Sequence, residues 1–354
     1  MNVGIISYYD YDQYIIPHNK LKIYENWNKA WNEVFKFSKK NNINLTKYNS
    51  KYHDKYERVI FIEIPRINDL IKVLYLNLFK KRISTILIVN ETFLGRARYM
   101  LRIPFLFNQV LINCEENINK FMSYKVKTFS YPSLPLKQKI KSQKSMILNP
   151  KRKNKLVFIS SFKIALSKHG SYQFRYKLVK DLIQFKKSFK LYGDGWDKVP
   201  LPFDVLGIAI ILRISFLRNL VRNLIKISYK PLGKFPVAKS KEKTLQDYDF
   251  TLAIEPTISK FNSICEKIFD PMIAGSIPVY YGQNLSKNIP SNTYIKINKN
   301  TSGKEIIKNL ASITKEKKDE YRKNIYDFLI SNNANKYRYN YYAKVIIDCL
   351  LKNQ

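Results

Sequence analysis

Short apolar runs rich in β-branched residues alternate along this chain with longer segments of helical period. In the first half, the strand-like runs and helical segments are residues 3–8, 24–39, 59–64, 69–80, 85–89 and 110–114. This alternation is typical of βα units that build a parallel sheet. It predicts an α/β fold with ligands bound at the carboxyl ends of the strands.

A basic tract interrupts the alternation at residues 137–155. It holds eight Lys or Arg residues, no acid, and Pro150, so we predict an interdomain linker. A second α/β series follows. Its strand-like and helical segments are residues 156–160, 172–185, 189–192, 250–254, 264–274, 277–281 and 293–297. We therefore predict an acceptor-side domain over 1–136, a donor domain over 156–330, and a C-terminal helix within 331–354.

Two α/β halves joined by one linker suit an enzyme that holds two substrates across a cleft. This organisation predicts a GT-B-like architecture, with two Rossmann-like domains whose parallel sheets face a cleft. Because one fold serves many functions, the organisation does not assign an activity by itself.

The charge balance points to an anionic partner. The 354 residues contain 63 Lys and Arg against 27 Asp and Glu, a formal net charge of +36. Nucleic acid, an acidic membrane face and a phosphate-bearing substrate all fit such a balance. The basic residues are spread along the chain, without zinc-finger spacing or another nucleic-acid-binding motif, so we expect no specific nucleic-acid partner.

Cysteine and histidine usage argues against a disulfide framework or a zinc site. Cys114, Cys265 and Cys349 are far apart and form no C-x-x-C pair, and none of the three His residues belongs to an H-E-x-x-H motif. We expect a reducing compartment and no metal. The chain shows no basic leader and no apolar run of about 20 residues, so we expect a cytoplasmic protein without a membrane-spanning helix.

The most informative stretch contains three motifs in series. They read FTLAIEP at 250–256, SICEKI at 263–268 and AGSIPVYYG at 274–282. An apolar strand thus ends in Glu255, and a helix begins with Glu266 and Lys267. The free N–H groups of a helix N-terminus bind phosphate, Lys267 can neutralise a diphosphate, and Glu266 can accept from a sugar hydroxyl. An ordinary βαβ unit with a solvated first helical turn is the alternative.

This order of motifs resembles the family 10 glycosyltransferases, the α-1,3/1,4-fucosyltransferases. Upstream, the loop after Phe158, Arg175 on the next helix and the strand ending at Gly193 resemble the start of that family's donor domain. The resemblance covers about residues 156–300, apart from 197–246. It implies a donor site formed by Ser160, Ser161, Arg175, Tyr192, Gly193, Glu255, Ser263, Glu266 and Lys267.

A carboxylate in the first half is implied as the catalytic base. The strand-like run before Asn90 leads into Glu91, and 107–111 resembles the strand that follows the family's basic Glu. We predict Glu91 as the base, with Glu63 as the competitor. The resemblance implies an inverting displacement in which Arg175 and Lys267 stabilise the leaving diphosphate without a metal.

Two departures bear on the donor, which the resemblance implies to be GDP-fucose. Pro256 stands where the family has Asn, and Ser263 where it has Tyr. Another nucleotide-sugar therefore remains an alternative, as does a non-catalytic glycan- or nucleic-acid-binding protein. The implied acceptor is a glycan or glycolipid, whose identity and linkage the sequence leaves open.

An insertion at 197–246 has no place in the βα alternation. Within it, 214–227 carries Arg218, Arg222 and Lys226 on one side of a helix. The opposite side is apolar and comprises Phe216, Leu217, Leu220, Leu224 and Ile227. Such an amphipathic helix binds at a membrane interface or packs on its own domain. We predict contact with an anionic membrane surface.

Overall fold

The protein is described by a computed structural model that covers residues 1–7, 25–63, 67–90, 106–114, 126–165, 170–202, 215–258, 264–285 and 288–351. The chain forms two compact units. One is built mainly from Met1–Leu136 and Ala334–Gln354, and the other from Lys137–Ile258 and Lys267–Asn333.

The first unit contains a six-stranded sheet in the order β2-β1-β3-β4-β5-β6, and every strand pair is parallel. The strands are β1 (Asn2–Ser7), β2 (Asn44–Lys47), β3 (Arg58–Ile62), β4 (Ser84–Val89), β5 (Gln109–Asn113) and β6 (Val126–Phe129). Every residue of β3 and β5 is buried, as expected for strands covered on both faces. The short edge strands β2 and β6, with their polar residues, carry too weak a pattern to be predicted.

Helices cover both faces of this sheet. On one face, α1 (Glu25–Lys40) packs with the C-terminal helix, and Trp31 forms a fully buried part of that core. On the other face, α2 (Ile67–Phe79) buries Val73 and Leu76 against the strands. A short 3-10 helix, Ser50–Lys55, precedes β3.

The second unit contains a five-stranded parallel sheet in the order β11-β10-β9-β7-β8. Its strands are β7 (Lys153–Ile159), β8 (Phe189–Tyr192), β9 (Tyr248–Ile254), β10 (Ile277–Tyr281) and β11 (Ile295–Lys296). Its helices are α3 (Lys137–Ser142), α4 (Lys144–Ile147), α5 (Tyr172–Leu182), α6 (Ser215–Ser228), α7 (Lys241–Gln246), α8 (Glu266–Ala274), α9 (Gly303–Ala311) and α10 (Lys315–Ile330). The final helix of the chain, α11 (Tyr339–Leu351), belongs to the first unit.

The tract at 137–155 differs from the predicted linker. It forms α3, α4 and the first residues of β7, all within the second unit. Ile140 and Ile147 are fully buried there, and Lys144 lies over the ring of Tyr326, 5.5 Å from its centroid. The density of charge suggested a linker, but two apolar residues at helical spacing are enough to attach the tract to a core.

The C-terminal helix is likewise part of a core and not an appendage. Tyr342 on α11 lies edge-on to Trp27 and Trp31 of α1, with ring centroids 5.7 and 6.4 Å apart. Chain order placed this helix after the donor domain, whereas its apolar face is buried in the first unit. Among the described residues, no helix combines the length and apolar character needed to cross a bilayer.

Candidate functional site

Four residues from the sequence motifs of the second unit lie at the carboxyl edge of its sheet. Ser160 follows β7, Gly193 follows β8, Glu255 follows β9 and Gly282 follows β10. Backbone hydrogen bonds continue across this edge, because the N–H of Ser160 donates to Tyr192 O at 2.8 Å and that of Glu255 to Tyr281 O at 2.9 Å. Four motif positions that are far apart in sequence therefore share one sheet edge, where parallel sheets bind ligands.

Two glycines at this edge allow a close approach of the chain. A Cβ at Gly193, where φ is +143°, would lie 2.1 Å from Ser160 O, and one at Gly282 would lie 2.6 Å from Glu255 Cγ. Neither site has room for a side chain. The Gly residues of the two motifs thus bring adjacent strand ends together.

Arg175 connects the ends of β7 and β9. Its guanidinium lies 3.2 Å from Ser160 Oγ and donates to Ile254 O at 3.4 Å, and the residue is 5 % exposed. The guanidinium also lies over the ring of Tyr172, 4.8 Å from its centroid. The helix that carries Arg175 is anchored at the same edge, because the N–H of Ser171 donates to Pro256 O at 3.0 Å.

Glu255 is a buried carboxylate, 2 % exposed. The Tyr280 hydroxyl donates to its Oε1 over 3.4 Å, and Ser171 Oγ donates to its backbone carbonyl. Ser171 and Tyr280 were missed by sequence reasoning, because one precedes a helix and the other reads as an ordinary strand residue. Pro256 stands where the family has a polar residue, yet its carbonyl accepts the hydrogen bond from Ser171 that anchors the start of α5.

Ser161 and Tyr192 are placed differently from each other. Ser161 is half-buried beside Ser160, whose hydroxyl donates to Ser161 O at 3.2 Å. The Tyr192 hydroxyl lies 3.2 Å from that of Tyr248 at the start of β9, so this side chain contributes to the packing of the unit. Burial, and then the hydrogen bond to Tyr192, raise the pKa of Tyr248 well above its ordinary value.

The next motif supplies the N-terminus of α8. Glu266 and Lys267 are the first two residues of this helix and are half-buried. Ser263 lies outside the described residues. A helix N-terminus with a Lys in its first turn offers N–H groups and a cation to an anion.

The D-x-D spacing at Asp247 and Asp249 belongs to the framework of the unit. Asp249 is 3 % exposed, accepts from Lys318 at 2.9 Å, and also pairs with the buried Arg322. Within the described ranges, no three His, Cys, Asp or Glu side chains cluster as a metal-binding group.

In the first unit, the predicted base Glu91 lies outside the described residues, and its competitor Glu63 lies within them. Glu63 follows β3, is 3 % exposed, and has a left-handed backbone with φ of +65°. Its carboxylate accepts from the N–H of Asn90 at 2.9 Å. A non-glycine residue in this conformation stores strain, and such residues concentrate at functional sites.

Asn90 is held from three sides at the end of β4. Besides the bond to Glu63, its carbonyl accepts from Asn113 Nδ2 at 2.7 Å and its Oδ1 from the Tyr342 hydroxyl at 3.2 Å. Burial, and next the charge on Glu63, raise the pKa of Tyr342 well above its ordinary value, which keeps this hydroxyl a donor.

Two buried amide atoms of this network have no hydrogen-bond partner in the described part of the chain. They are Asn90 Nδ2 and Asn113 Oδ1, on side chains with no exposed surface. Unpaired buried polar atoms are rare in folded proteins and mark places where water or a polar ligand binds. Asn113 and Tyr342 were not predicted, because neither stands in a motif.

The comparisons with known proteins agree with the motifs of the second unit. Residues 213–328 match the sequence model of the C-terminal domain of glycosyltransferase family 10, the fucosyltransferases. This segment includes Glu255, Glu266 and Lys267. The match supports the predicted class of enzyme, a glycosyltransferase. No curated protein matches the chain in sequence.

Solved structures resemble the chain over its whole length. An α1,3-fucosyltransferase is 12 % identical, with 100 % of this chain and 90 % of that one covered and a TM-score of 0.51. An α-glucosyltransferase in complex with UDP is 13 % identical, with 99 % and 100 % covered and a TM-score of 0.55. A DNA-modifying β-glucosyltransferase is 14 % identical, with 99 % of each chain covered and a TM-score of 0.53.

These likenesses concern the fold, and they confirm the predicted GT-B-like α/β class. In sequence motifs and in fold, the chain resembles the glycosyltransferases of family 10, and its residues 213–328 match the C-terminal domain of that family.

Proposed function

We propose that this protein is an inverting glycosyltransferase that moves fucose from GDP-fucose to a hydroxyl group of a glycan acceptor. One observation carries the proposal: the segment that matches the fucosyltransferase C-terminal domain contributes Glu255 and α8 to a sheet edge at which Arg175 is buried. A buried Arg and a helix N-terminus are both groups that suit a diphosphate.

The donor side of the reaction follows from these groups. As the bond between fucose C1 and the β-phosphate oxygen breaks, negative charge grows on the diphosphate. Arg175, Lys267 and the N-terminus of α8 stabilise that charge, so the leaving group needs no metal. Glu255 and Glu266 accept hydrogen bonds from donor hydroxyls, together with Ser160, Ser161 and Ser263. Tyr192, the last residue of β8, and Gly193, which follows it, complete the predicted donor site.

The acceptor side requires a base. We assign this role to Glu91, which removes the proton as the acceptor oxygen attacks C1 from the face opposite the diphosphate. The new bond from the acceptor oxygen to C1 replaces the bond to the β-phosphate oxygen, and the electron pair of the broken bond leaves with GDP. Glu63 is the alternative, since its buried carboxylate ends the neighbouring strand.

The donor is tested by ligand stabilisation of the full chain. At equal concentration, GDP-fucose is expected to raise the melting temperature more than UDP-, dTDP- or other GDP-sugars. At a hundredfold excess over its Kd it would add about 2.7 kcal/mol to the free energy of unfolding. Because Pro256 and Ser263 replace polar family residues, a larger shift with a UDP- or dTDP-sugar would overturn the fucose assignment and keep the enzyme class.

The base is tested by Glu91→Gln and Glu63→Gln in parallel, with release of GDP as the readout. Glu91→Gln is expected to lower kcat by about 100-fold or more while the stabilisation by GDP-fucose is retained. A loss of kcat in Glu63→Gln alone would move the role to Glu63.

The acceptor is proposed to be a glycan or glycolipid reached at a membrane surface. Helix α6 supports this, because its apolar side is exposed: Phe216 is 72 % and Ile227 79 % exposed, with Leu220 and Leu224 between them. A helix packed on its own domain would have buried that side. Replacing Leu220 and Leu224 by Glu is expected to weaken sedimentation with anionic vesicles, and unchanged sedimentation would refute the role of α6.

Two alternatives belong to other classes. The charge of +36 suits nucleic acid, and one fold relative is a DNA-modifying enzyme. A non-catalytic glycan-binding protein is the other. Turnover of a nucleotide-sugar by the wild type, lost in Glu91→Gln, separates an enzyme from either binder, and transfer to DNA instead of a glycan would identify a nucleic-acid acceptor.

A further inference from the structure

Helix α2 of the first unit exposes a row of large apolar side chains. Five residues spaced three and four apart lie on its outer side, each between 41 % and 72 % exposed. They are Ile71, Leu74, Tyr75, Leu78 and Phe79. We refer to these five residues, with Tyr52 of the preceding 3-10 helix, as the α2 face.

The inner side of α2 is apolar as well, because Val73 and Leu76 are fully buried against the sheet. A helix that is apolar on both sides is normally covered on both sides. Contiguous apolar surface of this kind marks an interaction site. The described residues leave the outer side open.

Aromatic contacts extend the face toward the 3-10 helix. Tyr75 lies 5.6 Å from Phe79 and 5.9 Å from His53, measured between ring centroids. The ring of Tyr52, 45 % exposed, carries the ammonium group of Lys55 4.5 Å from its centroid. Exposed Tyr and Phe rings beside Lys side chains are typical of surfaces at the boundary of a lipid headgroup layer.

The surroundings of the face are strongly basic. Residues 50–56 and 67–82 together contain six Lys or Arg and two Asp. Both acids are already paired, Asp69 with Lys72 at 2.8 Å and Asp54 with Lys80 at 2.9 Å. Lys81 and Arg82 follow the helix and are exposed.

We propose that the α2 face docks on an anionic lipid surface, with its apolar side chains in the headgroup boundary and the flanking cations on lipid phosphates and carboxylates. A second copy of a chain with a charge of +36 would bring like charges together. Nucleic acid would bind the cations and stack bases on Tyr75 and Phe79, but it would offer no apolar partner to the aliphatic Ile71, Leu74 and Leu78. An anionic membrane satisfies both features, because its headgroup boundary accepts the apolar side chains and its negative charge attracts the basic residues.

This inference concerns a different unit from α6 and does not depend on glycosyl transfer. The test is co-sedimentation of the full chain with phosphatidylcholine vesicles, with and without phosphatidylserine. The double variant Leu78→Glu, Phe79→Glu is compared with Val237→Glu, a control at a residue of the second unit that is 68 % exposed. Since all three positions are exposed, the melting temperatures are expected to stay close to that of the wild type.

The wild type is expected to bind the anionic vesicles, and the double variant to bind at least about tenfold more weakly, while Val237→Glu binds as the wild type. Lys81→Glu with Arg82→Glu is expected to weaken binding to anionic vesicles in a salt-dependent way. Absence of vesicle binding by the wild type, or equal binding by the double variant, would overturn the proposal. A dimer in solution that the double variant dissociates would assign the face to a second copy instead.

Discussion

The carboxylate of Glu63 accepts a hydrogen bond from the backbone N–H of Asn90, 2.9 Å away, and this bond joins the ends of β3 and β4. Glu63 makes this contact from a strained, left-handed backbone conformation with φ of +65°. Asn90 in turn receives the Tyr342 hydroxyl from α11. The last helix of the chain therefore stabilises the strand end that precedes the proposed base.

Replacing Glu63 by Gln tests the strength of this contact. The variant keeps the shape of the side chain and loses its charge, so we expect it to cost about 1–3 kcal/mol in the free energy of unfolding. Glu57→Gln is the matched control, because Glu57 also accepts a backbone N–H, from Asn2 at 3.0 Å, but is exposed. Urea unfolding curves of both variants measure the difference, and equal costs would contradict a special role for Glu63.

Gly193→Ala is expected to disrupt the carboxyl edge of the second sheet. The new Cβ would lie 2.1 Å from Ser160 O, whereas at Gly233, where φ is +117°, a Cβ would meet no atom within 4 Å. Both substitutions carry backbone strain of about 1–3 kcal/mol, but only Gly193→Ala adds a clash with the backbone. Thermal unfolding with and without GDP compares them, and similar behaviour would show that close approach at Gly193 is unimportant.

Arg175→Lys distinguishes the effect of the guanidinium geometry from the effect of its positive charge. Lys keeps the positive charge but cannot reproduce the two-pronged contact near Ser160 and Ile254, so the stabilisation by GDP is expected to fall. Lys177→Ala removes an exposed charge from the same helix and should leave the GDP effect unchanged. If GDP stabilises the two variants equally, Arg175 contributes only its positive charge to the electrostatic potential of the unit and makes no specific contact with GDP.

Asp249→Asn is expected to destabilise the protein by about 3 kcal/mol, because the buried Arg322, 1 % exposed, keeps only its ion pair with the more exposed Asp319. Asp247→Asn, at a carboxylate whose side chain is 59 % exposed, should cost less than about 0.5 kcal/mol. Chemical denaturation measures both. If the pair instead formed a metal motif, both variants would abolish a Mn²⁺-stimulated activity without this difference in stability.

Cys349 makes the free energy of unfolding of the protein depend on pH in the alkaline range. Burial raises the pKa of its thiol from 9.0 to about 11, and the thiol donates to Gln109 Oε1 at 2.5 Å. Between these values the unfolded chain loses the proton and the folded one keeps it, so this contribution to stability is present below pH 9 and is lost as the pH rises toward 11. Cys349→Ala is expected to flatten the fall in melting temperature over this window. An unchanged slope would refute the assignment.

The placement of the motif residues at one edge of the second sheet could be predicted from the sequence, because its signals are local. The β9 strand ending in Glu255, the α8 start at Glu266 and the strand–glycine pairs each occupy a few consecutive residues with a clear physical meaning. Parallel strands then place their carboxyl ends at one edge without further information. Tyr192 shows the limit of such reasoning, since a strand-end position does not tell which way a long side chain turns.

The sequence by itself determined the alternation of strands and helices, the α/β class and the motifs of the second unit, since these depend on the order and spacing of nearby residues. Only the tertiary structure decided that residues 137–155 join a core, that α11 packs with α1, and that Asn113 and Tyr342 converge on Asn90. These contacts join positions far apart in the chain. Their stability comes from burial and hydrogen bonding that no local pattern records.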